Sequence, residues 1–194
     1  MKLKNAAERS IVIVSILLLS VLIGYIYSSV WHSIDLRSHP RDYSEFVNTY
    51  AEAYGVPEYL IYGVILAGSD FESNHVSEDG RVGLMQLSES TFQRLTRITK
   101  ENLEPGILYD PETNIRYGTY WLSYLYTQYG RWNTVLAIHA ADDESLVELW
   151  LESGEYTDEK GNLTVIPDGE LAETVKTMEE EIEMYHDLYY DNAN

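Results

Sequence analysis

The chain has 194 residues, enough for one small domain once a leading apolar segment is set aside. It carries 13 Lys plus Arg against 32 Asp plus Glu, a formal net charge of −19, and no cysteine. The absent thiols exclude a disulfide framework and thiolate metal sites, and so anionic a surface argues against nucleic acid as a partner. Neither a metal site nor a cofactor is expected.

Residues 11–30 hold no charge and are dominated by Ile, Leu and Val, which is enough to cross a bilayer core needing roughly 20 helical residues. Lys2, Lys4 and Arg9 precede them and favour a cytoplasmic N-terminus; Tyr25, Tyr27 and Trp31 sit where an interfacial aromatic belt would. The reading is a basic cytoplasmic tail at 1–10, a transmembrane signal anchor at 11–30 and a linker at 31–42. A cleaved secretory signal is the alternative, although no small-x-small cleavage site follows. Both place the remainder outside the cytoplasm, as a single-pass membrane protein in the first case.

The domain is expected over 43–190, with a short tail at 191–194. Tyr43, Phe46, Val47, Tyr50 and Ala51 keep the spacing of a helix that buries one face. Pro57 is suited to the first turn of the next helix, which carries Gly68, and Ser88 to the N-cap of a helix through Phe92 and Leu95. Asp110-Pro111-Glu112 reads as cap, N1 proline and first-turn acid, opening a helix with Ile115, Gly118, Leu122 and Leu125 on one side and a stop at Gly130. Further helices are expected at about 133–141, at 144–151 and at 170–190, the last with Leu171, Val175, Met178, Ile182, Tyr185 and Tyr189 as its apolar stripe. Between them, residues 154–167 read as a small hairpin or an extended excursion.

Four blocks in this frame resemble one known family. The first is Tyr54-Gly55-Val56, Val64-Ile65, Gly68-Ser69 and Phe71; the second is Val76-Ser77, Gly80 and the run Gly83-Leu84-Met85-Gln86-Leu87. The third is Tyr109-Asp110-Pro111-Glu112 with Asn114-Ile115, Gly118-Thr119 and Leu122; the fourth is Ala137-Ile138-His139-Ala140-Ala141-Asp142. Together they resemble the lytic murein transglycosylases, the soluble-lytic-transglycosylase-like domains related to goose-type lysozyme. The resemblance implies an all-α, lysozyme-like transglycosylase domain, here behind one N-terminal transmembrane helix, with peptidoglycan glycan strands as its partner.

It also implies a chemistry. In that family a single glutamate protonates the glycosidic oxygen while the C6 hydroxyl of N-acetylmuramic acid closes an anhydro ring. Gly68 stands at that glutamate's position, and His139 and Ala140 stand where the family has tyrosine and asparagine. Glycine cannot transfer a proton, and general acid catalysis is commonly worth about 100-fold to 10,000-fold in rate. Glu72, one helical turn beyond residue 68, is the carboxylate best placed to substitute. A four-residue slip making Glu72-Ser73 the family's Glu-Ser pair would break the match to the Gly83 run. Ser69, Met85, Gln86 and His139 match cleft positions and are the candidate substrate-binding residues. The expected function is therefore a cell-wall-facing pseudoenzyme that binds glycan. The alternatives are an active peptidoglycan lytic transglycosylase using Glu72 and an adaptor that binds an envelope protein.

Overall fold

The computed structural model describes residues 6–191. Lys2 and Lys4 of the expected cytoplasmic tail, and residues 192–194 of the expected C-terminal one, lie outside them. The chain divides into two compact units, the first reaching Pro40 and the second starting at Arg41.

The first unit is one helix, α1 (Ala6–Ser38). At 1.5 Å per residue its 33 residues span about 50 Å. Its apolar side chains, Ile11 and Leu18 among them, are exposed. By length and composition the helix is able to cross a membrane. It also continues through 31–38, which was expected to be linker. That stretch lacks glycine and proline, and the first breaker is Pro40, which disfavours helical backbone at the residue before it.

The second unit is built from helices: α2 (Ser44–Tyr54), α3 (Glu58–Ser69), α4 (Glu89–Thr99), α5 (Pro111–Tyr129), α6 (Trp132–Ala141), α7 (Glu144–Ser153) and α8 (Gly169–Tyr189). Among the described residues there are no strands, only the isolated bridges Val76–Val82, Val82–Leu87 and Thr157–Leu163. Two expected caps form as drawn: Ser88 accepts from the Thr91 amide at 3.1 Å and Asp110 from the Thr113 amide at 2.9 Å. Pro57 precedes the first helical residue of α3 instead of lying in its first turn. α8 starts at Gly169, one residue earlier than expected, because Asp168 accepts from the Glu170 and Leu171 amides at 3.0 and 3.2 Å. A short 3₁₀ turn (Pro105–Tyr109) was not anticipated. Residues 154–167 form an excursion with one bridge, its turn held by Asp158, which accepts from the Lys160 and Asn162 amides.

α3 is the centre of this unit. Leu60, Ile61, Tyr62, Val64 and Ile65 are all buried, so apolar side chains surround the helix instead of forming one stripe. α8 lies against it, with Tyr62 stacked on Tyr185 at 5.3 Å. Gly63 permits the approach: a Cβ there would stand 2.7 Å from the Ile182 nitrogen and 2.8 Å from its Cα. On the other side Phe92 of α4 meets Tyr117 of α5 edge-on at 4.7 Å.

Candidate functional site

α3 ends at Ser69 because the next two residues, Asp70 (φ 49) and Phe71 (φ 61), are both left-handed. The chain then makes a tight loop. Gly83 donates to the His75 carbonyl at 2.9 Å, and Val82 and Leu87 exchange a pair of backbone bonds at 2.9 and 3.1 Å. Gly83 has φ 81, and a Cβ on it would lie 2.6 Å from the Leu108 carbonyl oxygen, so no other residue fits there. The loop leans on α5 through Asn114, which is 1% exposed. Its Oδ1 accepts from the Met85 amide at 2.7 Å, and its Nδ2 donates to the Val82 and Leu108 carbonyls at 2.9 and 2.8 Å.

This loop brings Gln86 over Gly68. A Cβ on Gly68 would lie 3.1 Å from Gln86 Cγ, with Gln86 Cβ and the Leu84 carbonyl next nearest. Gln86 is itself left-handed (φ 49) and 5% exposed. Its Nε2 donates to the Gly83 carbonyl at 2.6 Å, and its Oε1 is buried without a partner among the described residues. So a polar side chain covers the place where the resemblance puts a carboxyl group.

The other candidate residues take supporting positions. Ser69 is 4% exposed, and its hydroxyl donates between the Ile65 and Leu84 carbonyls at 3.0 and 2.9 Å. Met85 is fully buried against Gly118 and the Thr119 hydroxyl. His139, 2% exposed, has an Nε2 with no partner among the described residues. These three were expected to meet a sugar; in this structure each of their side chains is enclosed. Glu72 lies beyond the end of α3. The helical face that would carry it beside residue 68 stops at Ser69, and its side chain is 69% exposed, 4.0 Å from His75 Nδ1. A general acid keeps its proton with help from apolar surroundings, which this position lacks.

Two contacts that the sequence did not single out close the site from the far side. Arg81, 15% exposed, bonds Asp79 through Nε at 2.8 Å and donates from Nη1 to the Ala140 and His139 carbonyls at 3.1 and 3.4 Å. A cation at the carbonyl end of α6 is favourably placed in the helix dipole. Thr91 donates to Asp142 at 2.8 Å, tying α4 to the end of α6. Beside them opens a recess of about 240 Å³ lined by Asp79, Arg81, Ala140, Asp168, Glu170 and Thr174 among others. Asn114 was signalled by its place in the third matching block and as a polar residue on the apolar side of α5, in line with Gly118 and Leu122.

Burial, with the nearby Arg81 charge as a second cause, pulls the His139 imidazole down to about 3 from its usual 6.5. The unfolded chain therefore binds a proton at this residue that the folded chain refuses. The contribution of His139 to stability is present above pH 6.5 and is lost as the pH drops from there toward 3, by up to about 1.4 kcal/mol per unit. Glu179, raised by burial, acts in the opposite sense. Urea unfolding between pH 7 and 5 should show the decline, and His139→Leu should flatten it; equal slopes for both proteins would remove His139 as its source.

Residues 45–144 match the family model described as the Transglycosylase SLT domain. The chain belongs to this family. It is 32% identical over 114 residues to a membrane-bound lytic murein transglycosylase C of Edwardsiella ictaluri, covering 57% of this chain but 31% of that protein. With the soluble lytic murein transglycosylase of Escherichia coli K12 it shares 29% over 107 residues, 54% of this chain and 16% of the relative. Among solved structures it is similar to the 70-kDa soluble lytic transglycosylase of Escherichia coli (TM-score 0.70, 26% identity), covering 79% of this chain and 25% of that one. An inactive mutant of lytic transglycosylase Slt from Pseudomonas aeruginosa gives a TM-score of 0.66 at 26% identity, over 77% and 24% of the two chains. The chain thus spans at most about a third of the length of these relatives. The SLT fold is all-helical and lysozyme-like here as expected.

Proposed function

We propose that this SLT-domain protein is tethered by α1 as a single-pass anchor, faces the cell wall, and holds peptidoglycan glycan while cleaving it little or not at all. The observation that carries the reading is Gly68: at the end of α3 it offers no proton, and Gln86 lies across it. Neighbouring groups do not take over, because His139 is buried and neutral and Glu72 is out in solvent. Binding does not need a proton. The Gln86 Oε1 is a buried acceptor without a donor among the described residues, so a sugar hydroxyl or acetamido N–H reaches it once the Gln86 side chain turns outward, relieving a deficit of roughly 1 to 3 kcal/mol.

The test uses the full-length protein in zwitterionic nanodiscs with purified peptidoglycan. Co-sedimentation with the polymer, together with no anhydro-muropeptides by mass spectrometry, is the expected result. Robust anhydro-product from the native chain that disappears in Glu72→Gln would replace this reading with that of a displaced acid. Failure to sediment, with no product, would leave the adaptor reading in its place.

A further inference from the structure

A second concave surface lies at the opposite ends of the helices that carry the site. Gly68 and His139 stand near the C-termini of α3 and α6, whereas this trough is bordered by Tyr59 and Leu60 at the start of α3 and by Trp132 and Leu136 toward the start of α6. Its third border is α8. The larger section, about 340 Å³, has Leu60, Leu136 and Ile182 as its apolar lining. A second section of about 270 Å³ shares Asn133 and Glu179 with it and continues past Val165, Ala172 and Val175. From Ala172 to Asp187 the α8 side of the trough is about 22 Å long.

Its walls are already fixed. Trp132 is stacked on Tyr126 at 4.1 Å, and Tyr59 is held edge-on between His186 at 5.0 Å and Tyr190 at 5.6 Å. Its charge is one-sided. Glu179, Glu183 and Asp187 follow one another at four-residue intervals along α8, and no Lys or Arg lines the larger section. Lys176, in the smaller section, is 3.7 Å from Glu180, and Asp187 has only His186 at 3.5 Å. Glu179 and Glu183 have no cationic partner among the described residues, although burial already raises the Glu179 carboxyl.

From this arrangement we infer that the trough is a docking groove for a basic amphipathic helix of a partner protein. The apolar lining receives its aliphatic stripe, the carboxylate row meets Lys or Arg on successive turns, and the Trp132 wall accepts a cation. A trough of this length with charge along one edge matches three to four turns of helix; a sugar ring would leave most of it empty.

The probe is a synthetic 16-residue helix with a Leu stripe flanked by Lys at four-residue intervals; a second peptide carries Glu in place of each Lys. Each is titrated into the full-length protein in zwitterionic nanodiscs, following the Trp132 indole N–H by NMR. The Lys peptide should shift Trp132 with a micromolar Kd that weakens as salt rises, and the Glu peptide should not. Combined Glu179→Gln, Glu183→Gln and Asp187→Asn, exposed and nearly isosteric changes, should weaken binding at least tenfold. Equal binding of both peptides, or of the Lys peptide to the triple variant, would overturn the proposal. So would a Trp132 shift produced by chitooligosaccharide and not by peptide, or a dimer in light scattering that Trp132→Ala dissolves.

Discussion

Gly68→Glu is expected to raise the release of anhydro-muropeptides at least about 100-fold over the native chain, the lower range of what a positioned general acid contributes. The new side chain starts from the last turn of α3 and meets Gln86 Cγ, which a Cβ would approach to 3.1 Å. That neighbour is a flexible side chain and can give way by a few tenths of an ångström. Outside its own helix the nearest backbone atom to the new Cβ is the Leu84 carbonyl oxygen, at 3.9 Å. Gly68→Gln is the matched control, with the same length but no acidic proton. It should be as stable as the glutamate variant and release no product. Equal silence of both variants, at full glycan binding, would mean that the wall around His139 also fails to support chemistry.

The second large effect is structural. Asn114→Ala should cost about 3 kcal/mol or more, because it leaves the buried Met85 amide and the Val82 and Leu108 carbonyls without their partner. Only one orientation of the amide serves all three, so Asn114→Asp, which keeps the acceptor, loses both donated bonds and adds a buried charge, should be worse at neutral pH. The loss should be local before it is global. Amide exchange should accelerate first across residues 82–87, where the loop loses its attachment to α5. A cost under 1 kcal/mol, or faster exchange confined to α5, would contradict this role.

The helices were legible because their causes are local. Ser88 and Asp110 cap as their side chains dictate, and the apolar stripe on α8 lands on α3. Errors fell where local signals compete, as at Pro57, at Asp168 against Glu170, and along 31–38, where nothing before Pro40 stops a helix. The Gly83 to Leu87 run was also readable, since a left-handed glycine pressed against a carbonyl leaves no choice of residue.

The family, the helical order and the absence of a carboxyl group at residue 68 follow from which residues occur at which spacing. What surrounds that position follows from packing in three dimensions. Two left-handed residues after Ser69 turn Glu72 out to water, Asn114 swings the loop so that Gln86 lies over Gly68, and packing from several helices buries Met85, Ser69 and His139. These are outcomes of backbone direction and of contacts between residues far apart in the chain, which spacing along one helix cannot encode.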